Sequence, residues 1–163
     1  MKPKRRRALG FFGLMVAIPL VLGASCSVLG VDGYDDERER LEAARAAWQA
    51  QGIDSYSYVL QRSCFCGGGT TPARVVVEAG ERVSVTAVES GEPIDAPFAE
   101  LYLTIDELFD FVEDAIDRKA HKITVSYDAE RGIPLSVSID YDENTIDEEM
   151  AFMASQFQPG SND

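Results

Sequence analysis

The chain has 163 residues, enough for one domain with a real core, and its 45% hydrophobic and 26% charged content is ordinary globular usage. The formal net charge is -13, and an acidic surface repels phosphate backbones, so nucleic acid is excluded as a partner class. Solubility is the plain reading of that charge.

The chain opens with "MKPKRRR", a positive n-region, followed by the apolar run Ala8 to Gly23 and then the small residues that end at Cys26. This order reads as a secretory signal over residues 1–25. The competing reading, a retained membrane anchor, needs roughly 18 or more apolar residues, and the run has 16. Leu22-Gly23-Ala24-Ser25-Cys26 resembles a bacterial lipobox, with Gly23 standing where the pattern wants a branched apolar residue. That resemblance implies cleavage before Cys26 and lipid on its sulfur. Arg6-Arg7 also has a faint resemblance to a twin-arginine export signal. Removing residues 1–25 takes away Lys2, Lys4, Arg5, Arg6 and Arg7. Ten Lys and Arg then face 28 Asp and Glu, a net of -18. Membrane association therefore comes from lipid on Cys26 rather than from a basic patch.

Residues 26–34 read as a tether, 35–158 as a folded domain and 159–163 as a disordered tail. A first helix follows the tether, with Asp36 as its cap and Glu39 completing a capping box. Leu41, Ala44 and Trp48 recur at helical spacing, and Gly52 ends the helix. "IDSYSYVLQRSCFC" alternates, which puts Tyr56, Tyr58, Leu60, Arg62, Cys64 and Cys66 on one face of a strand. "RVVVEAGERVSVTAV" is a hairpin turning at Gly80, with Val75 and Val77 inward on one arm and Val83, Val85 and Ala87 inward on the other. "ESGEPIDAPFAE" reads as a loop. A second helix starts at Thr104, with Glu107 closing a capping box, Leu103 stapling onto Leu108, and an apolar stripe of Leu108, Val112, Ala115 and Ile116 widened by Phe109 and Phe111.

Two strands come next. Ile123, Val125 and Tyr127 alternate on the first, and Leu135, Val137, Ile139 and Tyr141 on the second, with Gly132 at the turn between them. "MAFMASQFQP" suits a last strand through Met150, Phe152 and Ala154, although Met153 and Phe157 also allow a helical turn. The predicted order is helix, three strands, helix, three strands. The fold class is α+β, a single domain with two helices on one face of an antiparallel sheet.

Tyr56-x-Tyr58, Cys64-x-Cys66, "VVVEAGERVSV", "TIDELFDFVEDAI", "VSYDAERGIPLSVSID" and the late "DEE" occur in this order over about residues 40 to 158. Together they resemble a group of bacterial exported proteins, many of them lipoproteins, that share the domain of unknown function DUF6174. The resemblance implies an envelope location and one domain. It carries no activity.

Cys64 and Cys66 admit four readings: a local disulfide, free structural thiols, a metal grip, or a nucleophile with His121 as base. An oxidising compartment favours the disulfide. Cβ atoms two residues apart on a flat strand are too far apart to bridge, so the backbone must bend there, and Gly67-Gly68-Gly69 permits it. Zinc wants more ligands than two thiols and His121 supply. Copper(I) would accept the two thiolates with a thioether from Met150 or Met153. Redox pairs ordinarily read C-x-x-C.

"DYDENTIDEE" places Asp140, Asp142 and Asn144 at alternate positions, but Thr145 and Ala151 stand where a calcium loop needs glycine and glutamate. Tyr56 and Tyr58 read as core. Left uncovered, they would form a recognition face with Arg62.

The expectation is thus a lipid-anchored, extracytoplasmic envelope protein without cofactor, a monomeric non-enzymatic module that binds an unknown envelope protein. The alternative is a thiol-dependent redox or copper-handling protein built on Cys64 and Cys66.

Overall fold

A computed structural model describes residues 33–64, 70–145 and 149–160. The signal, Cys26, Cys66 and the three glycines after it lie outside these residues. Two helices of some length, α1 (Gly33–Gln49) and α3 (Ile105–Asp117), cover one face of a sheet, and a single turn of helix, α2 (Ala96–Ala99), interrupts the loop before α3. The strands are β1 (Tyr56–Cys64), β2 (Ala73–Glu78), β3 (Glu81–Ala87), β4 (Lys122–Tyr127), β5 (Pro134–Asp140) and β6 (Met150–Pro159). All pair antiparallel, in the order β3-β2-β1-β6-β5-β4. Each half of the chain forms a meander, and β1 and β6 join the two in the middle. The α+β architecture and the order of its long elements match the sequence expectation.

The helices meet the sheet through the residues that periodicity marks. Leu41, Ala44 and Trp48 are buried from α1, and Leu108, Phe109, Val112, Ala115 and Ile116 from α3. Beneath them lie Tyr58, Leu60, Val75, Val77, Val137 and Ile139, all nearly inaccessible. The two helices run antiparallel and are stitched by Arg38–Asp117 at 2.6 Å, Arg45–Glu113 at 3.0 Å and the Trp48 indole N–H to Asp106 at 3.2 Å. Such exposed pairs fix register more than they add stability. At Gly132, with φ +76°, the β4–β5 turn runs against α1. A Cβ there would lie 2.1 Å from the Ala44 carbonyl oxygen, so no other residue fits.

Several details differ from the expectation. Helix α1 begins at Gly33, so Asp36 sits inside its first turn and caps nothing. The extra turn is held because Tyr34 donates its hydroxyl to the Ala120 carbonyl at 3.0 Å. Val83 does not face inward: it is 51% exposed. The β2–β3 register shifts at Val76/Val77, a bulge that leaves Arg82 opposite Val77. Arg82 thereby reaches the Glu107 carboxylate at 2.8 Å and the Tyr102 carbonyl at 3.0 Å. A second register shift, at Ser126/Tyr127, pairs Tyr127 with Pro134 and leaves Leu135 exposed. A third, at Ser57/Val59, sits opposite Gln156, whose φ is +51°, and turns Phe157 onto Trp48 and Tyr56. "MAFMASQFQP" is therefore one bulged strand. The last described residues are also ordered into the fold, since the Gly160 amide donates to the Ser55 carbonyl at 2.6 Å.

Candidate functional site

Strand alternation carries Tyr56, Tyr58, Leu60 and Arg62 onto the helix-covered face of β1. Tyr56 and Tyr58 are 3% and 1% exposed, so they are core and form no recognition face. Their hydroxyls hold the start of α3. The Tyr56 hydroxyl accepts the Ile105 amide at 3.0 Å, and Tyr58 donates to the Leu103 carbonyl. Burial pushes both phenols well above their ordinary range. The predicted capping box is present: the Glu107 amide donates to the Thr104 hydroxyl at 3.2 Å, and the Thr104 amide to the Glu107 carboxylate at 2.6 Å.

Arg62 is also covered, at 7% exposure. Phe152 of β6 stands opposite it, and Phe111 packs edge-on against Phe152. Tyr102, whose hydroxyl donates to the Thr71 carbonyl at 2.6 Å, lies close enough that the charge of Arg62 opposes the upward push of burial on its phenol. Arg62 Nη1 is buried without a hydrogen-bond partner among the described residues.

Beyond Arg62, Ser63 and Cys64 line a cavity of about 200 Å³ with Ser138, Glu149, Met150 and Ala151. Met150 is the cross-strand partner of Cys64, which brings the thioether predicted for a soft-metal site beside the first cysteine. Met153 faces the opposite side of the sheet and is 60% exposed, so it cannot join them. His121 is not brought to Cys64 either. Cys64 pairs with Met150, Met150 with Ile139 and Ile139 with Ile123, so three strand spacings, roughly 14 Å, separate β1 from the strand that His121 precedes. A Cys64–His121 nucleophile pair is excluded on that distance. Cys66 lies outside the described residues. The acidic turn near Asp140 satisfies itself: Asp142 accepts the Asn144 amide at 2.9 Å and the Thr145 hydroxyl at 3.2 Å, which hold its carboxyl below the usual range.

One polar group was not marked by sequence reasoning. Glu37 of α1 is 7% exposed, accepting from Arg40 at 2.6 Å and from the Tyr127 hydroxyl at 3.2 Å. Its spacing ahead of Leu41, Ala44 and Trp48 is the signal that would have placed it inward.

Among the described residues, no helix covers the other face of the sheet. Ser63, Ser84, Thr124, Ser126, Ser136 and Ser138 point outward on it, around Met153. Charged residues such as Glu78, Lys122 and Asp140 stand toward the strand ends, and the guanidinium of Arg74 is turned onto Gln156 at 3.1 Å. No described helix is long and apolar enough to cross a membrane.

Over the described residues, fold and site define a two-layer α+β domain whose helices cover one sheet face and leave the other, hydroxyl-rich face without a helix. The chain belongs to the family of unknown function DUF6174, whose model matches residues 40–159. No curated protein matches it.

Proposed function

We propose that this chain is an exported, lipid-anchored protein of the bacterial cell envelope, and that its domain is a non-catalytic binding module. The observation that carries the binding role is the open sheet face. In a chain as acidic as this one, the surroundings of the exposed Met153 on that face carry no charge, and an exposed methionine amid depleted charge is what the centre of an interface shows. The anchor rests on the signal and the lipobox-like run. With α1 starting at Gly33, residues 27–32 span at most about 25 Å from a lipidated Cys26, which would hold the domain next to the bilayer.

In this reading Cys64 and Cys66 form a local disulfide that braces the chain ahead of Gly67-Gly68-Gly69. Met150 opposite Cys64 favours one competitor, a copper(I) site of two thiolates and a thioether. Intact mass with and without reductant, together with metal content, separates the two: one stoichiometric copper and two alkylatable thiols would replace the disulfide.

The main test places a photo-crosslinking residue at Met153 in cells. One envelope protein should be captured, and the capture should be lost with Ser138→Arg at unchanged melting temperature. Cys26→Ser should move the chain from the membrane to the soluble fraction. Capture that is indifferent to Ser138→Arg sinks the binding face, and a Cys26→Ser chain that stays on the membrane sinks the anchor.

A further inference from the structure

Beyond Lys4 the chain has two lysines, Lys119 and Lys122, and they flank His121. With Arg118 they form a basic run, and no acid stands between Asp117 and Asp128. All four residues are exposed. Arg118 is paired with Asp114 at 3.2 Å and lies over the Tyr141 ring. Lys119 and Lys122 enter no ion pair among the described residues, in a chain with 28 acidic side chains. The acids around them are engaged: Asp117 by Arg38 at 2.6 Å, Glu37 by Arg40 at 2.6 Å, Asp140 by the Asp142 amide at 3.2 Å and Asp142 by the Asn144 amide at 2.9 Å. Lys119 also holds a position that suits another residue. It follows the C-cap of α3 with φ +55°, where its amide donates to the Ile116 carbonyl at 3.0 Å and the Ala120 amide to the Ala115 carbonyl at 2.9 Å. Glycine takes such a left-handed turn without strain, and lysine does not. Arg118 already supplies a cation to complement the helix end. The run lies where the chain enters the fold: Tyr34 donates its hydroxyl to the Ala120 carbonyl at 3.0 Å, and Gly33 and Tyr34 line one recess with His121 and Lys122.

We propose that Lys119 and Lys122 dock on the anionic phospholipid headgroups of the bilayer that holds the chain, and so set the orientation of the domain on it. This docking rests on the reading that lipid on Cys26 anchors the chain; the anchor supplies the hold and the two lysines supply the direction. An anionic surface repels a domain with so large an excess of acids, and a tethered body answers by turning its free cations toward the surface and its acids away. That turn needs no extra length of tether here, because the residues that follow Cys26 enter the fold beside the lysines. A lysine suits such a target: its ammonium is a compact charge on a flexible stem, able to meet a headgroup phosphate without a fixed geometry. The far side of the domain is β3, at the opposite edge of the sheet from β4 and five strand spacings, roughly 24 Å, away.

The test uses the full chain, extracted in nonionic detergent and placed in nanodiscs of phosphatidylcholine alone or of phosphatidylcholine and phosphatidylglycerol in equal parts. Acylation by an uncharged succinimidyl ester, read by mass spectrometry, reports on each lysine. Phosphatidylglycerol should slow Lys119 and Lys122 at least about threefold. Salt near 1 M, where the screening length is about 3 Å, should restore them. A reporter placed by Glu89→Lys, just beyond β3, should react at the same rate in both discs. Each lysine at an anionic surface is worth about fivefold in the ratio of docked to free domain. Lys119→Gly should therefore return Lys122 most of the way to its rate on phosphatidylcholine, and Lys122→Gln should do the same for Lys119. Lys119→Gly should melt no lower than the parent, because glycine suits the turn; a lower melting temperature would place Lys119 in the service of the helix end and overturn its part in the docking. The docking fails if phosphatidylglycerol leaves both rates unchanged, if it slows the Glu89→Lys reporter as much, or if neither variant releases the remaining lysine. A chain that enters neither kind of disc sinks the anchor, and the docking with it.

Discussion

Glu37 occupies a helix position that Leu41, Ala44 and Trp48 mark as inward, and its carboxyl meets opposing influences there. Burial pushes its pKa up; the Arg40 charge and the hydrogen bonds from Arg40 and Tyr127 pull it down; burial prevails. A carboxyl whose folded pKa lies above its unfolded one stabilises the fold fully below the unfolded value, and that contribution is lost as pH rises through the folded value. Stability held by Glu37 should therefore fall from about pH 4 upward. The melting temperature of Glu37→Gln relative to the parent should rise between pH 4 and pH 7, and a flat or falling difference would show that the pairing with Arg40 outweighs desolvation. The spacing that marks Glu37 as inward was easy to pass over, because acids are common in first helical turns, where they complement the helix dipole. What draws this one inward is Tyr127, 90 residues away. That Arg62 Nη1 is left without a hydrogen-bond partner among the described residues was equally illegible. Alternation puts it on the inner face, but no local pattern reports whether a carboxylate elsewhere will meet it.

At the scale of elements, α3 starts where it does for reasons that are partly local and partly not. Thr104, Glu107 and Leu103 are readable in the sequence because a cap and its partner lie within one turn. The additional hold from Tyr56 spans 49 residues. Tyr56→Phe should leave the Ile105 amide buried without an acceptor and cost about 1–3 kcal/mol. Chemical denaturation would measure the loss, and hydrogen exchange should show the Ile105 amide losing protection. A variant within a few tenths of a kcal/mol of the parent would show that another acceptor takes over. The bulges mark the limit of reading strands by alternation. "ERVSVTA" keeps its period whichever residue is doubled, so Val83 reads as core until Arg82 is seen reaching Glu107 and the Tyr102 carbonyl. Leu135 fails for the same reason at Pro134.

The whole molecule is two meanders fastened along a single seam. Short connections made each meander legible, but nothing local says that the first strand of one pairs with the last strand of the other. Trp48, Tyr56 and Phe157 cluster at one end of this seam, with ring centres 5.3–5.8 Å apart. A chain stopped before Met150 should show no cooperative melting transition and no near-ultraviolet circular dichroism, because β1 and β5 each lose one of two partners and the two meanders lose their only paired connection among the described strands. A truncated chain that melts cooperatively near the parent temperature would mean that the halves stand alone. Synthesis runs from the N-terminus, so the keystone of the sheet is the last piece to be made. Until it arrives the two meanders cannot be joined, so the six-stranded sheet closes only once nearly all of the described residues have been made.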